Sequence, residues 1–175
     1  MTFEADAGII VSEISGTAKS HQYYDVKVKM PEPKDIKLDF SVPVDEKKYN
    51  ASFADTGVPH TVIFVNDIEK TDVATLGKKI RFHKMFKPSG TNVNFVKLLN
   101  SHKISLRTYE RGVEDETLAC GTGTVASCIV SILKKYADSP LSAITRGRET
   151  LKVHYDGKTA FFEGKVCVVF EGVIK

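Results

Sequence analysis

The sequence predicts an α+β fold. Many short runs alternate polar and apolar residues, as half-buried strands do, while two segments carry apolar residues at helical spacing. No internal repeat, low-complexity tract or long linker suggests a solenoid or a disordered array. At 175 residues the chain has room for one ordinary domain, or for one lobe of a larger protein together with strands belonging to its neighbour.

The elements follow in order. Phe3 to Ile14, Tyr23 to Met30 and Ile36 to Phe40 read as strands. Met30-Pro31-Glu32-Pro33 interrupts them, because prolines donate no ladder hydrogen bond, and it marks a candidate domain border. The β-branched run Val58 to Val65 suits a buried strand. Val73, Leu76 and Ile80 predict a helix over 72–82, with Asp72 as its N-cap. Strands are expected at Asn92–Leu99 and Lys103–Glu110, then a helix over Thr122–Tyr136. Three closing strands, Leu151–Tyr155, Thr159–Phe162 and Lys165–Phe170, complete the reading.

Composition narrows the function classes. The 25 Lys and Arg against 22 Asp and Glu are scattered, which leaves no basic stripe for nucleic acid. No run approaches the roughly 18 apolar residues of a membrane span, and the first residues lack a signal-peptide pattern. The expectation is a cytoplasmic protein with neither nucleic-acid nor membrane partners. Cys120, Cys128 and Cys167 lack the close pairing of a zinc site or disulfide framework, so no metal is expected.

The segment Tyr109–Thr124, YERGVEDETLACGTGT, joins a strand to a helix and carries chemistry. Cys120 lies just before Val125, Ile129 and Ile132 begin an apolar stripe, which places it at a helix N-terminus. Free N–H groups and the positive end of the helix dipole favour a thiolate there and attract a carboxylate. A thiol with an ordinary value of about 8.5 is expected to fall in such a setting and to serve as a base near neutral pH. Gly121 and Gly123 leave the N–H groups approachable, and Thr122 and Thr124 add hydroxyls. The plainer alternative is a flexible turn with a small buried cysteine.

This run resembles the C-terminal catalytic signature of the diaminopimelate epimerases. Other segments agree in order: GVPH at Gly57–His60, FKPSGTNVNFV at Phe86–Val96, then RTYERG. The resemblance implies epimerisation of LL- to meso-2,6-diaminopimelate, in lysine and peptidoglycan-precursor synthesis, with neither pyridoxal phosphate nor metal. Two cysteines would act on opposite faces of the α-carbon, since inversion needs protonation opposite to abstraction. Cys120 matches the second of them, and His60 and Glu110 match residues around the reacting carbon. Gly121 and Thr122 match donors to the α-carboxylate, while Asn92 and Arg111 match residues holding the distal end of the substrate. The implied fold is a lobe with a curved, mainly antiparallel sheet wrapped around a central helix.

Two departures stand out. Val58 stands where many relatives have Asn, which removes one distal contact. No Asn-Gly-rich cysteine motif precedes TFEADAGII at Thr2–Ile10, so the N-terminal lobe with the partner cysteine is expected to be missing and the chain inactive alone. Residues 31–164 would form the C-terminal lobe, with 1–30 and 165–175 supplying strands to the absent one. These are expected to be displaced, disordered or paired with another copy. Cys128 and Cys167 read as core cysteines, and the complete form as a homodimer. A non-catalytic ligand-binding or assembly module, and an isomerase of another amino acid, are the alternatives.

Overall fold

The computed structural model describes residues 1–5, 8–15 and 23–173. Asp6 and Ala7 of the TFEADAGII run, residues 16–22 of the first segment and residues 174–175 of the last lie outside the described residues. The chain opens with strands β1 (Thr2–Ala5), β2 (Gly8–Ser15), β3 (Tyr23–Lys29), β4 (Lys34–Val44), β5 (Lys47–Asp55) and β6 (Pro59–Phe64). Helix α1 (Val73–Arg81) and a single 3-10 turn at Lys84–Phe86 lead to β7 (Asn92–Asn100), β8 (Lys103–Glu110) and β9 (Asp115–Thr117). Helix α2 (Gly121–Leu133), β10 (Leu141–Ile144), β11 (Thr150–Tyr155) and β12 (Ala160–Cys167) complete it.

All the strands among the described residues join one curved sheet in the order β1-β2-β3-β12-β11-β10-β8-β7-β6-β5-β4, with β9 paired to β8. The pairs β6–β7 and β8–β10 are parallel and the others antiparallel. A parallel pair needs a crossover, and each helix lies in one: α1 between β6 and β7, α2 between β8 and β10. The mixed, mainly antiparallel sheet wrapped around α2 is the expected architecture. Asp72 caps α1 as predicted, its carboxylate accepting from Thr75 N–H at 3.0 Å. Helix α2 stops before Tyr136, because Lys135 takes the left-handed conformation at φ 57°.

Alternation along the central strands separates two cores. Val62, Val96, Ile104 and Leu106 pack on Val125, Ile129 and Val130 of α2. Their odd-numbered neighbours Ile63, Val93, Phe95 and Tyr109 pack on Val73 and Ile80 of α1, on the opposite face. Each fully buried aliphatic side chain here contributes roughly 1.5–3 kcal/mol. Gly77 lets α1 approach, since a Cβ there would lie 2.5 Å from that of Tyr109.

The sequence reading differs from the structure in several places. Phe3 to Ile14 is a hairpin rather than one strand. Strand β5 carries a weak strand signal, because KKYNASFAD sets only Tyr49 and Phe53 among polar and small residues, yet Ala54 is fully buried in the α2 core. The two last strands expected are one, β12, which passes through Gly164 without breaking and pairs with β3 from Phe161–Lys29 to Cys167–Tyr23. A Cβ on Gly164 would sit 3.1 Å from Leu151 Cδ2, so the missing side chain serves packing. Among the described residues of the flanking segments, β2, β3 and β12 pair in one ladder that continues the sheet. They remain exposed, with Ile9 74 % and Phe170 84 % accessible.

Candidate active site

On the sheet face that meets α2, the same alternation that supplies Val62, Val96 and Leu106 changes chemistry at one end. His60 starts β6, Asn92 and Asn94 start β7, and Thr108 and Glu110 end β8. Pairing sets His60 opposite Asn92 and Asn94 opposite Thr108. The first turn of α2 arrives at this polar end and brings Cys120, Gly121 and Thr122 with it.

A chain of hydrogen bonds ties these residues together. Thr108 Oγ1 donates to Asn94 Oδ1 at 2.9 Å, and Asn94 Nδ2 reaches both the Thr61 carbonyl at 3.1 Å and His60 Nδ1 at 3.2 Å. His60 Nε2 lies 2.9 Å from Thr122 Oγ1, which in turn lies 3.7 Å from Cys120 Sγ. Thr56 Oγ1 donates to the Thr122 carbonyl at 3.1 Å. Sequence reading missed Thr56, Asn94 and Thr108. The signal for the last two was present, because Asn94 and Thr108 occupy the α2-facing phase of strands whose next such residues, Val96 and Leu106, are core.

Cys120 is the N-cap residue of α2, extended at φ −133° and ψ 108°, and it is 9 % accessible. The expected fall of its pKa does not occur in this chain. Burial pushes the thiol up, the Gly123 N–H and Thr122 hydroxyl favour the thiolate less strongly, and the Glu110 charge adds to the rise. Cys120 therefore rests as a thiol, with two donors placed for the anion. His60 is fully buried, and burial, followed by the Arg111 charge, lowers its pKa to about 3, so the ring is neutral across the physiological range.

Asn92 and Arg111 belong to the same group. Arg111 N–H donates to Asn92 Oδ1 at 2.8 Å, Asn92 Nδ2 donates to the Pro59 carbonyl at 2.9 Å, and Arg111 Nη1 donates to the Ser89 carbonyl at 3.1 Å. No carboxylate pairs with the Arg111 guanidinium among the described residues, which leaves it available to an anion. It borders an open groove with Phe40, Phe53, Phe86 and Ser89. Gly121 has ordinary room for a Cβ, whose nearest neighbour would be Phe162 at 3.6 Å. Gly123 has none, because a Cβ would stand 2.4 Å from Asn94 Oδ1 and 3.2 Å from the Cys120 sulfur.

The other cysteines lie apart from this cluster. Cys128 is fully buried two turns along α2, where burial raises its thiol far above the ordinary value. Cys167 is not the core cysteine its apolar surroundings suggested. It is exposed at the end of β12, beyond the reach of the α2 core.

Comparison with known proteins places this cluster in a family. The sequence of the family described as diaminopimelate epimerase matches residues 52–169, which hold every residue of the cluster. The chain is 44 % identical over 173 residues to a diaminopimelate epimerase of Aquifex aeolicus, covering 97 % of this chain and 60 % of that protein. It is 38 % identical to the Chlorobaculum tepidum enzyme of the same name, covering 98 % and 64 %. The chain thus spans about three fifths of the length of these relatives. Among solved structures, a hydroxyproline epimerase from Agrobacterium vitis with bound trans-4-hydroxy-L-proline superposes with a TM-score of 0.75 at 13 % identity, covering 96 % of this chain and 57 % of that one. A PhzF-family protein from Bacillus anthracis gives 0.68 at 16 %, covering 99 % and 68 %. These two likenesses bear on fold alone. With the family match running over two thirds of the chain and whole-chain identities of this size, the chain belongs to the diaminopimelate epimerase family.

Proposed function

We propose that this chain supplies one of the two thiols of a cofactor-independent epimerase that interconverts LL- and meso-2,6-diaminopimelate. The observation that carries the reading is the Cys120 sulfur, set at the first turn of α2 and joined through Thr122 to neutral His60. One thiolate takes the α-proton, so that C–H breaks and S–H forms, and the opposite thiol returns a proton to the other face, so that S–H breaks and C–H forms. The reaction consumes no proton overall. The free N–H groups of Gly121 and Thr122 receive the α-carboxylate, and Glu110 receives the α-ammonium. Arg111, held by Asn92 and Ser89, takes the distal carboxylate.

The second thiol comes from the share of the relatives' length that this chain does not cover, read as an N-terminal lobe. Residues 1–30 and 165–175 complete that lobe's sheet, and residues 31–164 form the lobe described here. The exposed apolar residues Ile9, Ile14, Val166 and Phe170 support this division. The complete form is read as a homodimer. An amino acid other than diaminopimelate is the second reading, favoured by Val58, whose side chain forms no hydrogen bond with a distal group.

The test is exchange of the α-proton of diaminopimelate in deuterated water. The chain alone is expected to give none, and addition of the uncovered N-terminal part of the Aquifex aeolicus relative is expected to restore it. Conversion of LL- to meso-diaminopimelate by the isolated chain, which exchange with retention at one thiol does not require, would place the second acid within these 175 residues and overturn the division proposed.

A further inference from the structure

We infer that Asn94 is a positioning residue that fixes the tautomer of His60 and thereby aims the Thr122 hydroxyl proton at the Cys120 sulfur. Asn94 is fully buried, so its amide has no water to satisfy it and its orientation follows from its neighbours. Thr61 O is a carbonyl and can only accept, so the atom facing it, at 3.1 Å, is the amide nitrogen. The amide oxygen then faces Thr108, whose hydroxyl donates to it at 2.9 Å. The second amide hydrogen points to His60 Nδ1 at 3.2 Å, which must therefore be the unprotonated ring nitrogen.

A neutral imidazole carries one proton, so in His60 it sits on Nε2 and is donated to Thr122 Oγ1. A hydroxyl that accepts from one side has its own proton free for another acceptor, and Cys120 Sγ, 3.7 Å away, is within range. Every bond in the series Asn94, His60, Thr122, Cys120 thus points the same way, with the sulfur at the receiving end. Such a donor strengthens as the sulfur becomes anionic. The close contact that forbids a side chain on Gly123 is with the oxygen of the same amide, so the amide is held against the first turn of α2.

The inference rests on the reading of Cys120 as a proton-transfer thiol, and its test does not need turnover. In the full chain labelled with nitrogen-15 histidine, long-range proton–nitrogen correlation spectra report which ring nitrogen is protonated. The His60→Gln variant identifies the His60 signals among the five histidines. The expected result is a protonated Nε2 and bare Nδ1 in the parent chain, and a protonated Nδ1 in Asn94→Asp, whose carboxylate accepts where the amide donated. A protonated Nδ1 in the parent chain overturns the inference, as does a bare Nδ1 in a folded Asn94→Asp.

A second measurement does not depend on that variant folding. In a Cys167→Ser background, the midpoint of the Cys120 alkylation profile should rise by about one pH unit in Thr122→Val, the size expected for losing one hydrogen bond to an anion. Thr122→Ser should restore it. The field of Glu110 on the sulfur and the neutral state of His60 are retained in both variants, so an unmoved midpoint in Thr122→Val also overturns the inference. If the tautomer is as stated but the reconstituted enzyme exchanges no α-proton, the epimerase reading fails while the network stands.

Discussion

Asn92 clamps the backbone of Arg111 to the strand that carries His60: its oxygen accepts from Arg111 N–H at 2.8 Å and its nitrogen donates to Pro59 O at 2.9 Å. One amide hydrogen and one lone pair remain for a ligand. Asn92→Leu leaves the Arg111 N–H and the Pro59 carbonyl without partners in a half-buried place. The expected loss is about 1–3 kcal/mol of unfolding free energy, read from the urea midpoint with an unchanged slope.

The two glycines of the Cys-Gly-Thr-Gly turn should respond unequally to alanine. Gly123→Ala forces a methyl to 2.4 Å from Asn94 Oδ1 and should cost about 1–3 kcal/mol. Gly121→Ala meets only Phe162 at 3.6 Å and should stay within about 0.5 kcal/mol of the parent. Parallel thermal melts of the two variants check the contrast.

His60 should make the fold acid-sensitive. Its folded pKa, about 3, lies below the unfolded value of about 6.5, so the unfolded chain binds the extra proton between these limits. Stability from the neutral ring is complete above pH 6.5 and falls as pH drops through the window, by up to about 1.4 kcal/mol per pH unit. His60→Gln should remove that slope. Urea titrations at half-unit intervals from pH 4 to 7 measure it.

The three thiols should label in a fixed order. Cys167, exposed on β12, reacts first with iodoacetamide, Cys120 follows slowly at its small accessible area, and Cys128 reacts only on unfolding. Peptide mass spectrometry at timed quenches gives the order. Fast labelling of Cys128 in the folded chain would contradict the core described above.

Arg107 ties the start of α1 to the β8–β9 hairpin. Its Nε and Nη2 each donate to Glu116 at 2.6 Å, and Nη1 donates to the carbonyls of Ile68 and Thr71. A lysine cannot reproduce this fork, and Arg107→Lys is expected to cost about 1.5–3 kcal/mol in chemical denaturation.

Much of this site was legible before the fold was known. The helix start after Cys120, the placing of His60 in a strand and the link of Arg111 to the end of β8 follow from apolar spacing and motif order. Asn94 and Thr108 escaped because polar residues inside strands read as solvent-facing until the opposite face is known to be buried as well. The sheet carries a helix on each side, so both phases of β6, β7 and β8 are interior. The direction of the Cys120 shift escaped for a related reason: a helix start advertises its dipole in the sequence, whereas the burial that outweighs it arises only in the folded chain. Strand β5 hid behind small residues: Ala54 lies in the core against α2, and Ala51 lies in the core of α1.

The parallel match of β6 to β7 sets His60 beside Asn92 and Val62 beside Asn94. Because side chains along a strand change sides at every step, a slip of one place would carry His60 to the α1 side and drive Ile63 out of its own core. The core and the chemistry are therefore proofread together. A mispaired chain loses its stability and its reactive cluster in one error, and any copy that reaches this fold arrives with His60 already aligned to Thr122 and Cys120.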